Sequence, residues 1–207
     1  MIKQLVLKDM MLQRKLGFVY LICLFFLAIV DFRSDSFLMT FSMFIPVLGM
    51  MLSMSYEDRN KSEMLINSLP FQRKEIVIAK YIFASILVTL GGVFPFIVSL
   101  IQLQNENTTG FMLWGAILGG ITGGLVYSMI VLPIEFSVGY SSAKQIAPFA
   151  GLALGYLSGV IVSNVWLDVE NVWSTSLVVN VCFIVGLFLL YIISMLLSIN
   201  LYNERDL

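Results

Sequence analysis

The sequence contains no histidine, and charged residues make up only 12% of its 207 residues. A soluble domain carries about 25% charged residues, which keep its surface in water. Apolar residues reach 59% of the chain, and they form runs longer than the ~18 residues that mark a membrane-spanning helix. The composition therefore indicates a polytopic membrane protein and argues against a water-soluble globule.

Several kinds of functional site are also missing from the sequence. No phosphate-binding loop of the G-x-x-x-x-G-K-[ST] type occurs, so the chain is not expected to hydrolyse a nucleotide. Without histidine, a carboxylate pair, or a Ser or Cys beside a base, an enzyme is the least favoured function and no cofactor is expected. Cys23 and Cys182 lie in apolar runs without metal-ligand spacing. The net charge of −1 does not provide the basic face that nucleic-acid binding requires.

The apolar runs predict an all-α membrane fold with six transmembrane helices in a single domain that covers residues 1–207. The predicted spans cover residues 16–32, 37–55, 76–103, 111–136, 146–167 and 174–202. Lys and Arg concentrate on the cytoplasmic side of membrane proteins. Eleven of these residues fall on one side of the predicted spans and only Arg33 falls on the other. Both termini are therefore predicted to be cytoplasmic, with the protein in a cell membrane that is expected to be bacterial.

Residues 1–15 have the spacing of an amphipathic helix. At about 100° per residue, one face of this helix is apolar, and it contains Ile2, Leu5, Val6, Leu12 and Leu16. A helix of this kind is expected to lie in the cytoplasmic membrane interface, with this face in lipid and its cations at the phosphates. Asp9 and Gln13 interrupt the apolar face. The alternative is a plain basic flank that obeys the positive-inside rule.

A segment rich in charge separates the second and third predicted spans, and nine charged residues lie between Tyr56 and Lys80. Asn67 or Ser68 could cap a new helix, with Pro70 in its first turn, where the missing N–H has no cost. The segment therefore predicts an extension of the second span, a break, and a short helix that leads into the third span. A solvated connector is the alternative.

The motifs of this segment resemble the short ABC-2-type transporter permeases. They are YEDRNK at residues 56–61, LINSLP at residues 65–70 and RKEIVIAKY at residues 73–81. LPIEF at residues 132–136, with Gly139 and Tyr140, is similar to a second cytoplasmic signature of that family. Within the family, the chain is most similar to permeases of phenol-soluble-modulin exporters and related peptide-immunity exporters.

The resemblance implies two permease subunits side by side, as a homodimer or a heterodimer, each seated on a separate ATP-binding subunit. It implies a coupling helix between spans two and three that contacts the ATPase, with the candidate residues Glu63, Leu69, Pro70, Phe71, Gln72 and Arg73. A lesser cytoplasmic contact is expected at Glu135 and Lys144. Residues 1–15 match the interfacial helix of the family. The implied function is ATP-driven export of amphipathic peptides or other hydrophobic compounds.

Small residues recur every four positions in the fourth and fifth predicted spans, and the candidates for helix packing are Gly119, Gly123, Gly151 and Gly155. Such residues allow helix backbones to approach closely in lipid. Tight packing is the simpler interpretation of these stripes, and a sliding contact that permits opening is the alternative.

Ionisable residues are nearly absent from the middle of the predicted spans, where an ion-coupled carrier usually needs one. An apolar pathway suits amphipathic or lipid-like cargo better than a free ion. Two alternatives to the exporter stay open, which are a membrane adaptor or immunity protein that does not transport, and an ion-coupled secondary carrier.

Overall fold

The computed structural model describes residues 2–14, 35–61, 72–103, 110–139, 141–151, 153 and 177–205. The regular secondary structure within these residues is helical. The helices are α1 at residues 2–14, α2 at Asp35–Arg59, α3 at Arg73–Leu103, α4 at Gly110–Val138, α5 at residues 141–151 and α6 at Leu177–Glu204. The all-α prediction is confirmed for this part of the chain. The first predicted span and most of the fifth lie outside the described residues, so the count of six spans stays a prediction.

Three segments of the described helices are long and apolar enough to cross a membrane. They are Arg73–Val93 in α3, Gly120–Val138 in α4 and Val181–Glu204 in α6. These segments overlap the third, fourth and sixth predicted spans. Their length and composition confirm the membrane character that the hydropathy of the sequence predicts.

The helices α2, α3 and α4 contact one another, and α6 packs against α3 and α4. Bulky residues fill the space between them, and the largest fully buried side chains include Met54, Phe83, Tyr81, Tyr127 and Phe136. Helices in lipid associate through close packing and polar contacts, because lipid tails are as apolar as leucine. The shape of these buried side chains therefore matters more to the bundle than their hydrophobicity.

Glycine is required where α2 crosses α3 and α4. A Cβ atom on Gly91 would clash with the backbone oxygen of Ser42. A Cβ on Gly124 would lie 2.9 Å from Cγ of Pro46. Real Cβ atoms do not approach other heavy atoms this closely, so the helices would have to separate to accept a side chain.

The small residues predicted to pack helices are described in part. A Cβ on Gly123 would lie 3.1 Å from Sδ of Met43, and one on Gly151 would lie 3.3 Å from Cγ1 of Val47. Both positions therefore face α2 at short range, and the packing role of the four glycines stays a prediction. Gly119 lies in α4, and Gly155 is outside the described residues.

The helix α1 packs against the bundle through the face that the sequence pattern assigns to lipid. Leu5 is only 7% exposed and belongs to the core, and Ile2 and Val6 pack against that core. Leu7, Met10 and Met11 are exposed instead. The expectation that the Leu5 face enters lipid is therefore wrong. Periodicity locates an apolar face, but both lipid and a protein core accept such a face.

Candidate functional site

A cluster of charged side chains is buried where α1 meets the end of α2, the start of α3 and the end of α4. Asp9, Glu57 and Glu135 are each 2% exposed and Lys80 is 4% exposed. Lys8 of α1 lies at the edge of this group. Such residues are almost never fully buried unless they are paired. We call these five residues the charge cluster, and it is the candidate functional site.

Lys80 of α3 is the centre of the charge cluster. Its Nζ bonds the Oε2 atom of Glu57 and donates to Oγ of Ser53 over 3.3 Å. The Oε1 atom of Glu135 and the Oδ2 atom of Asp9 lie 3.7 and 3.8 Å from the same Nζ. These two distances permit an ion pair but exceed the length of a charged hydrogen bond. One ammonium group therefore lies within ion-pair distance of carboxylates from three helices.

Lys8 supplies the second ammonium group of the charge cluster. Its Nζ lies 2.9 Å from Oε1 of Glu57 and 3.1 Å from Oδ1 of Asp9, and its side chain is 41% exposed. Burial tends to raise the pKa of Glu57, but the ammonium groups of Lys80 and Lys8 hold this pKa below its ordinary value of 4.5. Glu57 is therefore ionised at neutral pH.

The charge cluster holds one more carboxylate than ammonium groups. Within the described part of the chain, Oε1 of Glu135 is buried and has no hydrogen-bond partner. The buried Oδ1 of Asp9 has the ion pair with Lys8 over 3.1 Å but no contact with hydrogen-bond geometry. A cavity of about 10 Å³ lies beside Lys80 and Glu135 and is also lined by Ser53 and Leu132. This space is near the minimum that one water molecule needs. The site is therefore closely packed and highly charged, and its buried acceptor atoms do not all have a hydrogen-bond donor.

The residues that interrupt the apolar face of α1 turn out to hold the helix to the bundle. Asp9 faces Lys80, and Nε2 of Gln13 donates to the backbone oxygen of Gly49 over 2.8 Å. The sequence did contain a signal for these contacts. Asp9 and Gln13 are four positions apart, so one helical turn brings both polar side chains to the same side of an otherwise apolar face. Sequence reasoning treated them as defects and missed the charge cluster.

Two of the predicted ATPase-contacting residues, Gln72 and Arg73, are described. Gln72 is exposed just before α3, and its N–H lies 3.3 Å from Oε2 of Glu75, as at a capped helix start. Glu63, Leu69, Pro70 and Phe71 lie outside the described residues. The coupling helix itself therefore stays a prediction, and only its exit into α3 is described.

Arg73 ties the start of α3 to the end of α6. The two N–H groups of its Nη1 are shared among the backbone oxygens of Tyr202, Asn203 and Arg205, at 2.9, 3.0 and 3.0 Å. The guanidinium also lies 5.7 Å from the ring centroid of Tyr202. The last carbonyl groups of a helix lack partners within the helix and carry partial negative charge, so a cation there is favourable. Arg73 thus acts as a cap for α6.

Glu135 and Lys144 do not share an exposed surface. The Glu135 side chain is 1% exposed inside the charge cluster, whereas that of Lys144 is 34% exposed at the start of α5. Lys144 pairs with Asp58 in the last turn of α2. A direct contact of Lys144 with a partner is compatible with this position. Glu135 can affect binding of a partner only through the residues that cover it.

A network of hydroxyl groups joins α6 to α3 and α4. The hydroxyl of Tyr81 lies 2.7 and 2.8 Å from the hydroxyls of Ser194 and Ser198. The Tyr191 hydroxyl donates to the backbone oxygen of Tyr81 over 2.7 Å, and Ser194 donates to that of Met129 over 2.8 Å. Hydrogen bonds of this kind hold helices together in lipid.

Comparison with known protein families matches residues 4–203 to the ABC-2 family transporter proteins. The chain belongs to the ABC-2 transporter family. The matched range runs from α1 to the last turn of α6, so the whole charge cluster falls within the family domain. No curated protein and no solved structure matches the chain. The protein is therefore a membrane permease of an ABC transporter, as the motifs of residues 56–81 predict.

Proposed function

We propose that this ABC-2 permease exports amphipathic peptides or other hydrophobic compounds, driven by a separate ATP-binding subunit that docks around residues 69–73. The observation that carries the proposal is the set of hydrogen bonds from Arg73 to the last carbonyl groups of α6. A force applied just before Arg73 would move the start of α3 and the end of α6 together. A passive connector needs no such attachment.

The described helices favour an apolar cargo over an ion-coupled carrier. Lys80 and Glu135 lie within the segments that can span a membrane, which is where a carrier would hold an ion. The adjoining cavity is only about 10 Å³, and the Lys80 ammonium already occupies the site. Beyond Lys80, α3 carries no ionisable side chain other than Tyr81, so its remaining length suits amphipathic molecules.

We also propose that both termini are cytoplasmic and that two permease subunits assemble side by side. The orientation is supported by the contacts of the two ends of the chain. The helix α1 contacts the start of α3 through Asp9 and Lys80, and the end of α6 contacts it through Arg73. These contacts support an orientation in which α1 and the end of α6 lie on the side where the cations concentrate, and the positive-inside rule assigns that side to the cytoplasm.

The docking proposal is tested with Phe71→Ala in the full chain, produced together with the ATP-binding subunit. Phe71 is expected to fill an apolar pocket of that subunit, and loss of a large interface anchor costs about 2 kcal/mol or more. We expect the amount of co-purified ATP-binding subunit and its turnover in lipid vesicles to fall, while the permease still inserts.

Lys74→Ala is the matched control, since Lys74 is exposed in the first turn of α3. Arg73 is unsuited to this test because its substitution would also release the end of α6. Unchanged binding and turnover in Phe71→Ala would contradict docking at this segment and favour a solvated connector.

A further inference from the structure

Three carboxylates lie within 4 Å of the Lys80 ammonium, but at unequal distances. It bonds Glu57, while Oε1 of Glu135 lies 3.7 Å from its Nζ. A charged N–H···O bond is about 2.8 Å long, so this separation is roughly 1 Å too long to be one. A movement of α3 relative to α4 by about this amount would let Lys80 exchange Glu57 for Glu135.

One oxygen of Glu135 lacks a hydrogen-bond donor among the described residues. This oxygen is the buried Oε1. The cavity beside it is lined by Lys80 and Ser53, so the ammonium has a short path towards this oxygen. A buried acceptor without a partner costs free energy, and a bond from Lys80 would remove that cost.

Glu57 can lose Lys80 without becoming an isolated buried charge. Lys8 lies 2.9 Å from Oε1 of Glu57, on the opposite oxygen from the one that bonds Lys80. Removing one partner of a buried ion pair is normally strongly unfavourable. Because Lys8 can stay with Glu57, both ammonium groups have a carboxylate whether Lys80 bonds Glu57 or Glu135.

We propose that Lys80 exchanges Glu57 for Glu135 during the transport cycle, and that this exchange couples movement of α3 to movement of α4. The inference rests on the proposed function, because the docked ATP-binding subunit supplies the movement. Arg73 and Lys80 are about two helical turns apart on α3, so a displacement at the docking segment reaches Lys80 through one rigid helix. Lys80 is then a positioning residue that sets α4 relative to α2.

Two isosteric variants distinguish the exchange from a static structural role. Glu57→Gln takes away the carboxylate of the observed arrangement, and Glu135→Gln takes away that of the exchanged arrangement. Each full chain is assembled with the ATP-binding subunit in lipid vesicles. ATP turnover is measured without cargo and with a fluorescent amphipathic helical peptide, together with uptake of that peptide into inverted vesicles. Glu204→Gln is the matched control, because Glu204 is an exposed carboxylate at the end of α6.

The exchange predicts opposite effects of the two variants on ATP turnover. Glu135→Gln should hold Lys80 on Glu57 and lower both turnover and peptide transport about fivefold, a typical size for coupling between sites. Glu57→Gln should favour the exchanged arrangement and raise turnover without peptide by a similar factor, since removing one state shifts the population to the other. Glu204→Gln should leave both quantities unchanged.

Effects in the same direction, or no effect in either variant, would overturn the exchange while leaving the proposed function intact. If a Gln variant does not assemble, Glu57→Asp and Glu135→Asp keep the charge and shorten its reach, and they must show the same opposite signs. A wild-type chain that neither binds the ATP-binding subunit nor changes its turnover would overturn the proposed function, and the exchange with it.

Discussion

The helices α3 and α6 are both long and apolar, but the bundle holds them in different ways. In their most apolar stretches, 61% of α3 and 6% of α6 are buried, although α6 has the higher mean hydropathy, 2.7 against 2.1. Burial in this protein therefore does not follow hydropathy. Lipid and protein interior are similarly apolar, so hydropathy alone does not determine which of them a helix meets.

What separates the two helices is their polar and close contacts. The helix α3 contributes Lys80 to the charge cluster and crosses α2 closely at Gly91. The helix α6 is attached through the hydroxyl groups of Tyr191, Ser194 and Ser198 and through the cap from Arg73. Its exposed apolar side chains include Val181, Ile184, Phe188, Leu189, Ile193 and Leu196.

The largest expected difference in stability between variants of α3 and variants of α6 comes from substitution of Lys80. Lys80→Met leaves three buried carboxylates with Lys8 as the remaining ammonium of the charge cluster, and breaking such a cluster costs about 3–5 kcal/mol. We expect a large fall in the free energy of unfolding, measured by titrating the purified chain from mild detergent into SDS. Lys74→Met, on the exposed side of the same helix, is the control. Equal stability of the two variants would show that the charge cluster adds nothing to the fold.

Glycine positions on the two helices provide the next comparison. Gly91→Ala forces a methyl group against the Ser42 carbonyl, and overpacking of this kind costs about 1–3 kcal/mol. Nothing lies within 4 Å of the Cβ position of Gly186 in α6. Gly186→Ala should therefore unfold at the same or a slightly higher SDS fraction, because alanine is the better helix former. A comparable loss in both variants would mean that Gly186 also faces a protein partner.

A smaller effect is expected from the hydroxyl network that attaches α6. Tyr81→Phe keeps the ring but takes away the hydroxyl that meets Ser194 and Ser198, and a hydrogen bond of this kind contributes about 1 kcal/mol. Phe188→Leu, on the exposed face of α6, should change the unfolding midpoint less than Tyr81→Phe does. The reverse order would contradict the attachment of α6 through hydroxyl groups.

The smallest effect on stability, and the sharpest test of what α6 faces, comes from a nitroxide label at Phe188. In lipid vesicles, a label that faces acyl chains collides often with dissolved oxygen and rarely with a water-soluble nickel complex. The opposite pattern is expected for a label at Lys74. Strong protection of position 188 from both reagents would show that a second subunit covers this face.

Some properties of the chain could be predicted from local sequence alone. The length and hydropathy of residues 73–93, 120–138 and 181–204 determine three membrane segments, because partitioning into lipid depends on a continuous apolar stretch. The motifs of residues 56–81 were sufficient to predict the ABC-2 family, which the match over residues 4–203 confirms. The amphipathic character of α1 was also predictable, since it follows from a period of 3.6 residues.

Only the tertiary structure decided which polar residues meet. Asp9, Glu57, Lys80 and Glu135 are far apart along the chain, and no local pattern relates them. Their pairing arises because packing of α1 against α2, α3 and α4 takes these groups away from water, after which each charge needs a partner nearby. The same packing places Leu5 in the protein core. It also brings the Arg73 guanidinium within hydrogen-bond distance of the last carbonyl groups of α6. Hydropathy is a sum over neighbours in sequence, whereas ion pairing depends on neighbours in space.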